Sequence, residues 1–191
     1  MKWNLGSDSY SKLLATAELK KASTVYADCR KILTFRARYE AIGRSAKCPW
    51  WVPAVIHMRE SDNDFRGVLH NGERIIGTGR KTKLVPRGRG PFNSFEESAA
   101  DALKIENIGA IKTWNVEMSL GFLERYNGLG YRNRGIPSPY LWSYTSQYSK
   151  GKFVGDGQFS RNTVDQQIGC VALLLGWRDM NIFLEGIMAN G

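Results

Sequence analysis

Apolar positions recur at helical spacing through the first part of the chain. Leu13, Leu14, Ala17, Val25, Ile32 and Phe35 follow that period, and no Pro or Gly interrupts the stretch between Ser7 and Ile42. Residues from about Ser9 to Gly43 are therefore expected to be helical. Pro49 and Pro53 bracket the start of a second helical block, with Val52, Val55 and Ile56 on its apolar face and its end near Glu60. From Phe65 to Val85 the pattern changes. Gly67, Gly72, Gly77 and Gly79 stand among β-formers such as Val68, Ile75 and Ile76, and Asn71-Gly72 is a strong turn dipeptide, so a short β-hairpin is expected here. The run Val85 to Phe92 reads as a loop. Ser94-x-x-Glu97 is a capping box that opens a helix through about Glu106. A further helix should cover Val116 to Tyr126 and stop at Asn127-Gly128. A tract rich in Gly, Pro, Tyr and Trp follows from Gly128 to Phe159, with a short helix from Pro137 or Pro139 to Trp142. A last helix is expected from about Thr163 to Trp177. No internal repeat is visible. The pattern predicts an α+β fold, mainly α, forming a single domain over 1–191, with residues 1–40 as a helical extension packed on it.

Composition narrows the class. The 191 residues are 42% hydrophobic and 24% charged, which suits one globular domain and argues against disorder. A net charge of +9 predicts attraction to polyanions, whether nucleic acid, anionic wall polymer or phospholipid headgroups. Arg80, Lys81, Lys83, Arg87 and Arg89 raise the nucleic-acid reading. The basic residues are dispersed, however, and no recognition helix or RNP-like pattern accompanies them, so no nucleic-acid partner is expected. Three widely spaced cysteines, without a C-x-x-C pair, argue against a disulfide framework and for a reducing compartment. The N-terminus has no apolar signal-peptide core, and no run is long enough to span a bilayer. A cytoplasmic site of synthesis is expected, without stable membrane insertion.

Chemistry concentrates around Glu60. A carboxylic acid at the junction of an apolar helix and a small sheet is set partly against apolar surface, which disfavours its ionised form. Such a group can donate a proton to a leaving glycosidic oxygen, so glycan cleavage is the leading expectation. Asp62, Asp64 and Glu73 are candidate second carboxylates. Glu73 is preferred because it follows the Asn71-Gly72 turn, and Thr78, five positions on, could hold a water. His57 and Glu60 form an H-x-x-E pair on one helical face, but the matching half of a di-metal site is missing. With only His57 and His70 in the chain, no metal and no cofactor are expected. No H-E-x-x-H or G-x-S-x-G motif occurs, and Gly72 to Thr82 lacks the lysine of a phosphate loop. Aromatic residues supply the other signal. Trp50, Trp114 and Trp177 read as core, whereas Tyr126, Asn127, Tyr131 and Tyr140 lie in or beside glycine-rich segments where rings could pack on sugar faces.

Several segments together resemble the lysozyme superfamily, and phage and prophage endolysins in particular. They are Glu60-Ser61, then His70-Asn71-Gly72, then Ser98-Ala99-Ala100-Asp101-Ala102-Leu103, then Ser138 to Gly157. Tyr126-Asn127-Gly128 is similar to an element of goose-type lysozymes and lytic transglycosylases that lines the sugar groove. The resemblance covers roughly Ala41 to Leu175. It implies a lysozyme-like fold with the hairpin beside the active-site cleft, and cleavage of the β-1,4 bond between N-acetylmuramic acid and N-acetylglucosamine. Glu60 would be the general acid, with Glu73 and Thr78 completing catalysis and Ser61, His70, Asn71, Tyr126, Asn127, Tyr131 and Tyr140 holding substrate. Bacterial peptidoglycan is the implied partner, met by a monomer that waits in the producing cell until lysis and then acts on the wall. A lytic transglycosylase and a non-catalytic wall-glycan binder are the alternatives. The Glu-x8-Asp-x5-Thr spacing of some phage lysozymes is not met, since Glu73 lies thirteen positions after Glu60.

Overall fold

The computed structural model describes residues 10–187. The expectations for the first nine residues, including those about a signal peptide, lie outside the described residues. Among the described residues the fold is α+β and mainly helical, with eight α-helices and one two-stranded antiparallel sheet. The helices are α1 (Tyr10–Ala15), α2 (Ala22–Leu33), α3 (Arg36–Ala46), α4 (Trp51–Ser61), α5 (Phe95–Ile105), α6 (Val116–Asn127), α7 (Pro139–Trp142) and α8 (Cys170–Asp179). Strands β1 (Lys152–Gly155) and β2 (Gln158–Ser160) pair with Phe153 opposite Phe159. The chain divides into two compact units, one made of Met1–Arg30 with Asn115–Gly191, the other of Lys31–Trp114.

In the Lys31–Trp114 unit, α4 is the central element. Every residue from Trp51 to Arg59 is buried, so the helix is enclosed all round and not only along the Val52-Val55-Ile56 face. Helices α3 and α5 pack in the same unit, tied by the Arg38 Nε–Glu96 ion pair at 2.7 Å. Helix α5 begins where the capping box places it. Ser94 Oγ accepts from the Glu97 amide at 3.2 Å, and the Glu97 carboxylate accepts from the amide of Asn93, one residue earlier than the reciprocal arrangement. Beyond α4, Val68, Ile75 and Phe92 form a small core of their own.

The segment expected to be a hairpin after α4 is not a strand pair. It holds a single antiparallel bridge, Gly67 to Arg74, around a turn in which the Gly72 amide donates to Val68 O and the Val68 amide to Glu73 O. Four glycines in the stretch leave too few side chains to pack on a pleated face. The regular hairpin is instead β1–β2, inside the aromatic tract.

In the other unit, α1 lies on α6. Glu117 of α6 accepts from the amides of Tyr10 and Ser11, capping α1 from a distant part of the chain. The uninterrupted helix expected from Ser9 to Gly43 is broken twice. Leu19 pairs with Thr145, and the Lys20 amide donates to Tyr144 O at 2.8 Å, which pulls residues 16–21 out of helical geometry. Near Phe35, the Thr34 hydroxyl bonds back to Lys31 O at 2.7 Å. Helix α8 starts seven residues later than Thr163. The segment before it pairs with the 143–152 region: the Gly169 amide donates to Ser143 O, and Asp165 accepts from Lys152 Nζ at 2.7 Å. A Cβ at Gly169 would lie 2.5 Å from Leu141 O, so the two segments approach as closely as glycine allows.

Candidate active site

Glu60 lies in the last turn of α4 and is half-buried. The helix ends because Asp62 and then Asn63 adopt left-handed geometry, at φ 55° and 56°, with the Asp62 amide closing on His57 O and Met58 O. A buried polar network holds this corner from beneath. Asn63 Nδ2 donates to the Tyr39 hydroxyl at 3.0 Å, and that hydroxyl donates to His57 Nδ1 at 2.8 Å in the neutral tautomer. His57 stacks on Phe95 with ring centroids 4.0 Å apart and meets Phe65 edge-on. Burial pushes the His57 imidazole down to about 4, so it is neutral at ordinary pH. It acts here as a supporting side chain one helical turn before Glu60.

From the other side the 67–74 turn presses on the helix end. Gly72, at φ +75°, packs on the Glu60 backbone so closely that a Cβ there would sit 1.9 Å from the Glu60 carbonyl oxygen. The turn is braced within itself and against α5. Asn71 Oδ1 accepts from the Glu73 amide, while Asn71 Nδ2 donates to Glu73 Oε1 and to Val85 O. His70 is buried, stacks on Phe92, and shares a 2.8 Å contact between Nε2 and Asp101 Oδ2. Arg89 grips both oxygens of the same Asp101. The Arg89 hydrogen bonds, opposed by burial and aided by His70, hold the Asp101 carboxyl below its usual range. Burial lowers the His70 value, with Asp101 partly offsetting it.

The expected site residues thus separate by what their polar atoms already do. Ser61, half-buried, turns its hydroxyl toward the carbonyls of His57 and Asp64. The Glu73 carboxylate receives the amides of Lys83 and Leu84 at 2.8–3.0 Å. Burial opposes ionisation there, but the two amides and Asn71 outweigh it and hold Glu73 below its usual range. Thr78 is exposed, donates to Ile75 O and accepts from Arg80 Nε, which makes it a turn residue. Asp64 is ion-paired with Arg66 and Arg74, and the Arg66 hydrogen bonds lead in holding its carboxyl well below the usual range.

In the unit that contains α6, Tyr126 is half-buried beside Phe122 at the end of that helix, and Asn127 is exposed. Tyr131 and Tyr140 are buried, at 7% and 3% exposure. The Tyr131 hydroxyl accepts from the Phe153 amide at 3.1 Å, and its ring meets Phe153 and Phe159 edge-on. Both tyrosines serve packing in this structure, where a ring offered to a sugar face was expected. Trp177 is buried as expected, whereas Trp50 and Trp114 are half-buried.

No family model, no curated protein and no solved structure matches the chain. Sequence reasoning missed Asp101 as the hub joining His70 and Arg89. Its one local signal was a lone carboxylate among the alanines of Ala99-Ala100-Asp101-Ala102. No cluster of three or more His, Cys, Asp or Glu side chains fit to hold a metal occurs among the described residues. No described helix is long and apolar enough to cross a membrane.

Proposed function

We propose that this chain is a peptidoglycan-degrading endolysin of lysozyme-like fold, cleaving the β-1,4 bond between N-acetylmuramic acid and N-acetylglucosamine with Glu60 as general acid. The observation that carries the reading is the seat of Glu60. A half-buried acid sits in the last turn of an enclosed helix, braced below by the His57-Tyr39-Asn63 network and beside it by the Gly72 turn. That much support around a single carboxyl suits a group that has to keep one position while a bond breaks. In its acid form Glu60 protonates the glycosidic oxygen as the bond opens through an oxocarbenium-like state.

The second half of the reaction has two routes. In the hydrolytic one, a water oriented by Glu73 or Thr78 attacks the sugar. The hydrogen bonds already made by those two side chains favour the other route, in which the muramyl 6-hydroxyl attacks and an anhydro product leaves. Masses of fragments from purified sacculi separate the two, because the anhydro product is one water lighter. Glu60→Gln should slow fragment release on the order of 10²-fold or more. Unchanged clearance by that variant removes Glu60 from catalysis. Wild-type protein that binds sacculi but releases nothing leaves only a wall-glycan binder. With this function the protein would accumulate in the producing cell and reach the wall once the membrane is breached.

A further inference from the structure

The loop running from Gly79 to Gly90 is a built element with no part in the chemistry given to Glu60. Between Glu73 and Glu96 the sequence holds six Lys and Arg and no Asp or Glu. Arg74 is paired with Asp64 and Arg89 with Asp101. Lys81, Lys83 and Arg87 are exposed and make no ion pair among the described residues. Between them stand Leu84 and Val85, 58% and 78% exposed, the two most exposed large apolar side chains among the described residues.

This tip is held in shape. The Glu73 carboxylate fixes the amides of Lys83 and Leu84, and Asn71 Nδ2 holds Val85 O. The Thr82 amide donates to Arg89 O, the Gly88 amide to Thr82 O, and the Thr82 hydroxyl to Pro86 O. The Arg89–Asp101 pair then fastens the loop to α5. A tethered backbone thus turns two adjacent aliphatic side chains outward within a few residues of three exposed cations.

We propose that the 80–89 loop is a peripheral docking element for an anionic phospholipid surface. Leu84 and Val85 enter the boundary between headgroups and acyl chains, while Lys81, Lys83 and Arg87 lie against headgroup phosphates. Stable adsorption to a bilayer takes an apolar anchor together with a basic patch, and both are present within a few residues. A nucleic acid or an anionic wall polymer would be met by the cations alone and would gain nothing from the aliphatic pair. Each Lys or Arg at an anionic surface contributes roughly fivefold in affinity, so the three together supply about a hundredfold. This attachment lies on the membrane without crossing it, and it is independent of the role given to Glu60.

The test is cosedimentation of the full chain with vesicles of phosphatidylglycerol mixed into phosphatidylcholine, and with vesicles of phosphatidylcholine alone. Binding should be confined largely to the anionic vesicles and should weaken as salt rises. Leu84→Ser with Val85→Ser should lower affinity about tenfold, with an unchanged circular dichroism spectrum because both side chains face solvent. Lys81→Gln, Lys83→Gln and Arg87→Gln together should lower it about a hundredfold. Equal binding to both vesicle types overturns the proposal. So does full affinity in the Leu84/Val85 variant, or tighter binding to soluble polyphosphate that ignores the aliphatic pair, since the cations would then serve a polymer. Glu60→Gln should bind vesicles as wild type does, so failure of the glycosidase reading and failure of the docking loop are told apart.

Discussion

Gly72 combines a φ of +75° with an approach that leaves 1.9 Å between an added Cβ and the Glu60 carbonyl oxygen, two separate reasons for glycine at one position. Gly77 has the same backbone sign, φ +71°, but nothing within 4 Å of an added Cβ. Gly77→Ala should therefore cost about 1 kcal/mol from backbone strain alone. Gly72→Ala should cost roughly 3 kcal/mol or more, because the turn must also lift from the helix end. Urea midpoints of the two variants check this, and equal shifts would show that the turn does not bear on Glu60. His57 offers a second residue-scale test. Its imidazole is pushed from 6.5 to about 4 by burial, so between those values the unfolded chain binds more protons than the folded one. Stability should fall as pH drops through that window, by up to roughly 3 kcal/mol. Burial lowers His70 as well, which adds to the loss with the same sign. The paired carboxylates of Asp64, Glu73 and Asp101 have depressed values, so their contributions begin to fall only near the ordinary values of 3.8 and 4.5, at the acid end of that window, and go on falling below it. In His57→Gln the stability profile between about pH 7 and pH 4 should be distinctly flatter. A slope as steep as wild type rules His57 out as its source.

Among the elements, the turn after α4 and the basic loop behave as one braced piece, joined by Glu73, Asn71 and the His70-Asp101-Arg89 cluster. Glu73 is where the catalytic and the supporting roles can be separated. Removing its carboxylate in Glu73→Ala frees two backbone amides, at a cost of about 1.5 kcal/mol or more for charge-assisted hydrogen bonds. Amide exchange at Lys83 and Leu84 should accelerate by about tenfold, as read by hydrogen exchange and NMR. If Glu73 also holds the hydrolytic water, turnover collapses in this variant along with the loss of protection, whereas a purely supporting Glu73 leaves turnover largely intact. Helix boundaries at this scale were legible wherever the signal was local. Ser94 and Glu97 fixed the start of α5, and Asn127-Gly128 fixed the end of α6, because a cap needs only groups three or four residues away. The start of α8 was not legible, since residues 163–169 spend their polar groups on the 143–152 segment.

At the level of the whole molecule, the net charge of +9 is the property most open to experiment. If the protein works on anionic cell wall, long-range attraction should raise the rate on sacculi at low salt. Screening shortens to about 3 Å at 1 M ionic strength, so clearance should fall severalfold on going from about 0.05 M to 1 M salt. Cleavage of a short uncharged glycan oligomer should change little over the same range. Parallel salt curves for both substrates would place the dependence in the active site and not in the overall field. The Tyr10-Glu124-Arg132 cluster of the first unit should not contribute to this field. Its buried glutamate accepts from both the Tyr10 hydroxyl and Arg132, and so is neutralised within the fold.

The sequence by itself determined the mainly helical α+β class, the caps at Ser94 and at Asn127-Gly128, the polar glycine-rich turn after Glu60, and the charge. Each of these rests on spacing or composition within a few residues. Tertiary structure alone decided that residues 16–21 leave the helix to pair with 144–146, that the turn after α4 makes one bridge and no sheet, and that the strands fall at Phe153 and Phe159. It also decided that Tyr131 and Tyr140 are buried, that Glu73 anchors a loop, and that Asp101 unites His70 with Arg89. The reason is common to all of them. A polar atom or ring is committed by whichever partner the fold brings beside it, and those partners lie from six to well over a hundred positions away along the chain.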